Sequence, residues 1–122
     1  MALTLDQAEG MLRLAKSQAR DAGIAVSINI VDARGDLIAS IRMDGNRFHG
    51  PETSRGKVAT AATFGQLSGA LAERSSTPFY QHMVQIYPGR FNFGQGGAPI
   101  KIGELLKAES ELAEGPANRT KI

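Results

Sequence analysis

The first apolar pattern along the chain has a helical period. Apolar residues recur every three to four positions over residues 5–19, which is typical of an amphipathic helix that buries one face. Thr4 followed by Gln7 has the spacing of a capping box, and Gly23 is a stop signal. The pattern predicts a helix between Thr4 and Gly23.

From Ile24 the period changes to two. Apolar residues at 24, 26, 28 and 30 alternate with smaller or polar ones, turn formers occupy residues 32–36, and a second alternating stretch covers residues 37–42. Alternation of this kind indicates a half-buried strand, and the turn formers between the stretches favour a hairpin. The sequence therefore predicts two antiparallel strands, the first beginning at Ile24.

Helical signals dominate the middle of the chain. A helix is predicted from Pro51 to Phe64, because proline suits a first helical turn and Gly65 supplies a stop. Two shorter helices are predicted next, one beginning at Ser68 and one over residues 77–86.

The carboxyl-terminal part has a different character. Phe91 and Phe93 are spaced as in a strand, residues 94–97 are glycine-rich, and residues 99–102 resume an extended pattern. These features predict a second hairpin, followed by a polar helix or tail over residues 104–114.

Composition narrows the class of protein. With 122 residues, 42% hydrophobic and 21% charged, the chain is expected to form one globular α+β domain over residues 1–122. The absence of cysteine excludes a disulfide scaffold, a thiolate zinc site, an iron–sulfur cluster and a cysteine nucleophile. No apolar run is long enough for a membrane span and no leader pattern is visible, so we expect a cytoplasmic protein without a membrane partner. A net charge of +2, with scattered basic residues, argues against nucleic acid as a partner.

The first group of residues that could carry chemistry lies at the start of the second predicted helix. Glu52 and Arg55 share a helix face, and Lys57 is nearby. Arginine with a neighbouring lysine suits a carboxylate or another anion; the alternative is a solvated ion pair on the helix surface. Gly56 is unfavourable inside a helix, so we expect a close approach there.

The glycine-rich segment could present backbone N–H groups, including those of Gly96 and Gly97, to a ligand. It does not match a dinucleotide fingerprint, because an extended segment follows it rather than a helix. The alternative is a wide hairpin loop.

Three further positions remain open between a functional and a structural role. His49 and His82 cannot form a closed zinc site without cysteine, but either one could ligate a haem iron or act as a base. Asp44 beside Arg42 at a strand end could face a pocket. The alternatives are ordinary surface or core histidines and a turn aspartate.

Several motifs of the chain occur together in one known family. They are Val26-Ser27-Ile28-Asn29-Ile30-Val31-Asp32, Gly35-Asp36-Leu37, Arg42-Met43-Asp44-Gly45, Pro51-Glu52, Ser54-Arg55-Gly56-Lys57-Val58-Ala59-Thr60-Ala61-Ala62, Phe64-Gly65 and Gly96-Gly97-Ala98-Pro99-Ile100. In this order, over residues 3–102, they resemble the GlcG/HbpS-like family of haem-binding or haem-degrading domains.

The resemblance implies a single α+β domain with a mostly antiparallel sheet flanked by helices, assembled into a homo-oligomer. Some members bind haem, and others resemble cofactor-free lyases of hydroxylamino aromatic acids. The chain departs from the family after residue 103, where the usual final strand and helix look shortened or replaced.

Three functions follow as hypotheses. The favoured one is binding of a small ligand, foremost haem or another tetrapyrrole, with His49 or His82 as the axial ligand and Arg55 and Lys57 on the propionates. The ligand-binding set also includes Asp44, Gly96 and Gly97. The second is a cofactor-independent lyase of a small aromatic hydroxylamino or amino carboxylic acid, in which Arg55 holds the carboxylate and Glu52, His49 or Tyr80 moves protons. The third is a non-catalytic oligomeric accessory protein.

Overall fold

A computed structural model of the chain describes residues 2–98. The elements, in chain order, are α1 (Leu5–Asp21), β1 (Ser27–Val31), β2 (Leu37–Arg42), α2 (Gly50–Phe64), a 3₁₀ helix (Ser68–Arg74) and α3 (Pro78–Ile86). This arrangement confirms the α+β class. No helix in this part of the chain combines the length and the apolar character that crossing a membrane requires.

The start of α1 is fixed by the predicted capping box. The Thr4 hydroxyl accepts from the Gln7 N–H at 3.1 Å, and the Gln7 side chain accepts from the Thr4 N–H at 2.9 Å. Both bonds satisfy N–H groups that have no partner inside the helix. The apolar face of α1 then packs Ala8, Met11 and Leu12 against Ile30 of β1.

The predicted hairpin is confirmed, with Ile28 opposite Ile41 and Ile30 opposite Ala39 in an antiparallel pair. Its predicted start at Ile24 is wrong, because β1 begins at Ser27. The N–H of Ile24 donates to the carbonyl of Ala19 at 3.0 Å, so this residue lies beyond α1 and its N–H satisfies a carbonyl in the last turn of the helix. The Ile24 side chain is 54% exposed.

Both faces of β1 are covered in the middle of the strand, which the expectation of a half-buried strand did not include. Asn29 points away from the α1 face and is only 5% exposed. Its side-chain amide donates to the carbonyl of Pro51 at 3.1 Å. This polar side chain is buried under α2, and its hydrogen bond to Pro51 satisfies the buried amide and ties α2 to the second face of the hairpin.

The predicted helix from Pro51 to Phe64 is confirmed as α2, and Gly65 caps it in the left-handed region with φ +66°. Gly56 is buried in its middle, where a Cβ would lie 2.9 Å from the Cβ of Asn92. The N–H of Asn92 donates to the Gly56 carbonyl at 3.2 Å and lies 3.0 Å from the Thr60 hydroxyl oxygen. The close approach expected at Gly56 is therefore made by the chain itself.

The helices after α2 differ in detail from their predicted forms. The one beginning at Ser68 is a 3₁₀ helix, whose start is held by the Ser68 N–H donating to the Gly97 carbonyl at 2.9 Å. The last helix is present as α3, with Thr77 at its cap position. The Thr77 hydroxyl donates backwards to the Arg74 carbonyl at 2.6 Å, and it makes no capping bond.

The strand predicted around Phe91 and Phe93 is not formed. The Asn92 N–H is bonded to α2, and both phenylalanine rings join an aromatic cluster. In this cluster Phe64 lies 5.7 Å from Phe91, and Tyr80 lies 5.7 Å from Phe93, between ring centroids. Residues 94–97 are irregular, as predicted. The other half of the predicted hairpin, the polar segment 104–114 and the family departure after residue 103 lie outside the described residues.

Candidate functional site

A pocket of about 300 Å³ opens where three parts of the chain meet. The turn of the hairpin, the exposed side of α2 and the turn after α3 each contribute to it. Its lining residues are Gly35, Glu52, Arg55, Ala59, Pro88, Gly89 and Arg90. A mixed lining of small residues and three charged side chains can hold a small polar ligand.

Two of the predicted site residues, Glu52 and Arg55, line this pocket together. They lie one turn apart on α2 and both are exposed. Within residues 2–98 they make no ion pair with each other, and neither side chain has a hydrogen-bond partner. The surface ion pair that the sequence left open is thus not formed, and neither side chain is engaged by another of the described residues.

Arg90 is the charged residue that sequence reasoning missed. Its guanidinium lies over the hairpin turn, where Nη2 is 3.4 Å from the Arg34 carbonyl and would be 3.2 Å from a Cβ at Gly35. Gly35 has φ +85°, a backbone conformation that favours glycine. Pro88-Gly89 is a turn signal in the sequence, but nothing local indicates that the chain then returns to the hairpin.

Lys57 lies beside the glycine-rich segment and does not line the pocket. A Cβ at Gly94 would be 3.1 Å from the Lys57 Cε, and one at Gly96 would be 3.5 Å from its Cδ. Gly97 is buried, and a Cβ there would collide with the Lys57 carbonyl. The Gly97 N–H already donates to the Ser68 hydroxyl at 2.9 Å. The glycines here allow the segment to pack closely on α2.

The two histidines lie in different surroundings, and neither lines the pocket. His82 is exposed on α3, on the helix face that also carries Phe79 and Ile86, which are 60% and 52% exposed. His49 is exposed just before α2, with its ring centroid 5.4 Å from that of Phe48. Each histidine therefore lies beside at least one exposed apolar side chain.

The remaining predicted residues, Tyr80 and Asp44, also lie apart from the pocket lining. The ring of Tyr80 is half-buried between Phe64, at 5.2 Å, and Phe79, at 5.1 Å. Asp44 is exposed in the turn after β2, and its neighbour Arg42 donates to the Asn46 carbonyl at 2.8 Å. In the described part of the chain, no three histidine or carboxylate side chains gather as a metal site would require.

The fold and the sequence can now be compared with known proteins. The family model described as "Haem degrading protein HbpS-like" matches residues 3–108, and the chain belongs to this HbpS-like family. The match extends six residues beyond the resemblance noted in the sequence. No curated protein gives a significant match.

Solved structures share the fold. A double mutant of HbpS from Streptomyces reticuli is 28% identical, with a TM-score of 0.70 over 81% of this chain and 65% of that one. The Klebsiella pneumoniae protein ORFY is 20% identical, with a TM-score of 0.74 over 83% of this chain and 70% of that one. The crystal structure of a PduOC:heme complex is 21% identical, with a TM-score of 0.68 over 79% of this chain and 70% of that one. The chain thus spans about two thirds of the length of these proteins.

Proposed function

We propose that the protein binds haem or a related tetrapyrrole. The observation that carries the proposal is the match to the haem-degrading HbpS-like family over residues 3–108. The shared fold with a protein solved as a haem complex supports it. Haem iron is commonly held by a histidine nitrogen within an apolar surface, so an exposed histidine beside apolar side chains fits the group.

His82 is the better of the two axial-ligand candidates. Phe79, His82 and Ile86 recur at i, i+3 and i+7, so they share one face of α3. This face is exposed, and none of the residues of α3 is buried. A planar apolar macrocycle could cover Phe79 and Ile86 while the imidazole reaches its iron.

His49 is the second candidate, since its neighbour Phe48 is 87% exposed. Arg55 and Lys57 are the proposed partners of the propionates, because both carry a positive charge on α2. We also propose Asp44, Gly96 and Gly97 as ligand-binding residues, as predicted from the sequence. For Gly97 such a role would require its N–H to leave the Ser68 hydroxyl.

A haemin titration followed by absorbance tests the proposal. We expect a saturable Soret shift that His82→Ala abolishes or moves, and that His49→Ala leaves intact. Gln85→Ala is the matched control, because Gln85 is also exposed on α3. A flat titration of the unaltered protein would refute haem binding. Loss of the shift in His49→Ala alone would transfer the axial role to His49.

A cofactor-independent lyase is the second candidate function, favoured by one observation: Glu52 and Arg55 line the same pocket without an ion pair. Arg55 would hold the carboxylate of an aromatic hydroxylamino or amino acid, and Glu52 would exchange the proton. We expect turnover of such an acid to fall at least a hundredfold in Glu52→Gln. Turnover unchanged in both Glu52→Gln and Arg55→Gln would reject this function.

A homo-oligomer is part of the proposal, as the family resemblance implies. Light scattering measures its mass directly, and a monomer across the micromolar range would oppose it. A non-catalytic accessory role would be favoured by an oligomer that binds neither haemin nor a small acid. The cytoplasmic location and the single domain over residues 1–122 stay predictions.

A further inference from the structure

We infer that the pocket between the hairpin turn, α2 and the turn after α3 binds a small organic acid that carries a hydroxyl or ammonium group beside its carboxylate. Arg55 and Arg90 would hold the carboxylate, and Glu52 would accept a hydrogen bond from the second group. This inference rests on the pocket of the second candidate function, but it requires binding alone and no turnover.

The charge of the pocket favours an anion. Two guanidinium groups and one carboxylate line it, which leaves one net positive charge. Within residues 2–98 neither guanidinium forms an ion pair. Guanidinium groups bind carboxylates through charge-assisted and often bidentate hydrogen bonds. A single carboxylate would neutralise the excess charge.

Arg90 is held in place and still has donors to spare. Its Nη2 lies 3.4 Å from the Arg34 carbonyl, a contact that orients the guanidinium over the hairpin turn. A guanidinium has five N–H donors, so one long hydrogen bond leaves most of them for a ligand. Arg55 comes from a different element and has no hydrogen-bond partner among the described residues. The two groups therefore reach the pocket from different elements of the fold.

Glu52 supplies the second element of recognition. An ionised carboxylate only accepts hydrogen bonds, so beside an anionic ligand it favours a group that donates one. A hydroxyl or an ammonium group next to the ligand carboxylate meets this requirement. An acid without such a donor would bring its negative charge near the Glu52 carboxylate without forming a hydrogen bond to it.

The volume of the pocket restricts the size of the ligand. At about 300 Å³ it lies at the lower end of the range of about 300–1,000 Å³ that ligand pockets span. The small residues Gly35, Ala59 and Gly89 leave this space open, whereas a whole tetrapyrrole would extend beyond it. The ligand is thus a small acid rather than a tetrapyrrole, and Arg55 is the residue that this inference shares with the proposed haem site.

Isothermal titration with three matched compounds tests the inference. Mandelate has both groups, phenylacetate lacks the hydroxyl, and mandelamide lacks the charge. We expect mandelate to bind, phenylacetate to bind several-fold more weakly, and mandelamide to show no saturable binding. Amide chemical-shift changes at Gly35 and Gly89 would locate the ligand. Equal binding of mandelate and mandelamide, or no binding of mandelate, would overturn the inference.

Three variants and one control identify the residues. Arg55→Gln and Arg90→Gln should each weaken mandelate binding about tenfold or more, and Glu52→Ala, which removes the hydrogen-bond acceptor, should remove the preference over phenylacetate. Arg34→Gln is the matched control, because only its backbone carbonyl is used. If Arg34→Gln and Arg90→Gln lost equal affinity for mandelate, general electrostatic attraction would explain the binding, and the proposed site would be rejected.

The same variants separate this inference from both candidate functions. Thermal unfolding of each variant establishes that it is folded. A Soret shift that persists in Arg90→Gln together with lost mandelate binding would support an acid site that requires Arg90 and a haem site that does not. Mandelate binding without turnover of any aromatic hydroxylamino acid would leave the inference standing and count against the lyase.

Discussion

The two regions of the molecule on either side of Gly65 are held together in different ways. The first region comprises α1, the hairpin and α2, and its core includes an aliphatic cluster of Ala8, Met11, Leu12 and Ile30. The second region comprises the 3₁₀ helix, α3 and residues 87–98. Its last helix has no buried residue and is attached through aromatic ring contacts.

The junction between these regions depends on close backbone contact. Asn92 donates through its N–H to Gly56 and Thr60, and through its side-chain amide to the Thr53 carbonyl. These contacts need small residues and hydroxyl groups, and they need no large apolar area. The comparison teaches that a region with little buried aliphatic surface can be fixed to a well-packed one by a few specific backbone hydrogen bonds.

The largest expected effect is in the aliphatic core of the first region. Met11→Ala removes a side chain that is 3% exposed and packed in the core cluster, and we expect unfolding free energy to fall by about 2–5 kcal/mol. Chemical denaturation measures this change. Glu9→Ala, on the exposed side of α1, is the control and should change stability by less than about 0.5 kcal/mol. A Met11 effect as small as the control would contradict the assigned core.

The junction should be the next most sensitive part. Gly56→Ala places a Cβ 2.9 Å from the Cβ of Asn92, and we expect a loss of about 1–3 kcal/mol from overpacking. The higher helix propensity of alanine would offset up to about 1 kcal/mol of this loss. The measurement is the midpoint of thermal unfolding. A stabilised Gly56→Ala protein would show that residues 91–92 do not lie against α2.

The hydroxyl of Thr60 should contribute a comparable amount. It donates to the Gly56 carbonyl at 2.8 Å and lies 3.0 Å from the N–H of Asn92. Thr60→Val keeps the shape, removes the hydroxyl and should cost about 1–3 kcal/mol, whereas Thr60→Ser keeps the bonds and should cost less. Amide hydrogen exchange at Asn92 should accelerate in the valine variant alone. Equal exchange in both variants would refute the role of the hydroxyl.

The smallest effect is expected in the aromatic cluster of the second region. Tyr80→Leu removes ring contacts to Phe64 and Phe93 and should lower stability by about 0.5–1.5 kcal/mol beyond the change in buried area. Near-ultraviolet circular dichroism should lose aromatic signal while far-ultraviolet signal stays. A loss larger than that of Met11→Ala would reverse the comparison between the regions.

The sequence predicts the first region well because its signals are local. The capping box marks the start of α1, and the change from a helical period to a period of two marks the hairpin. Pro51 and Gly65 mark the two ends of α2. The errors lie where a tertiary contact overrides a local pattern. Ile24 continues the alternation, but its N–H bonds to the last turn of α1. Phe91 and Phe93 also alternate, but their rings join the aromatic cluster. The alternation places Asn29 on the exposed face of a half-buried strand, but in the structure α2 covers this face.

The candidate site was only half predictable. Glu52 and Arg55 share a helix face, which spacing alone shows. Arg90 lies 35 residues beyond Arg55 in the sequence and reaches the pocket because the chain returns along α2. Neither the charge of Arg90 nor the hydrophobic period around it predicts this return of the chain. The roles of His49, His82, Lys57, Asp44 and Tyr80 stay predictions, because each depends on a ligand.

The bonds of Asn92 to α2 have a consequence for binding energetics. Arg90 precedes Asn92 by two residues, so the segment that carries one wall of the pocket is the segment that closes onto Gly56 and Thr60. A ligand that requires Arg90 in place must also favour the closed segment, by RT ln(1 + [L]/Kd) in free energy. Ligand affinity and the opening equilibrium of this segment are therefore thermodynamically linked, and a ligand held at Arg90 should protect a backbone amide that it does not touch.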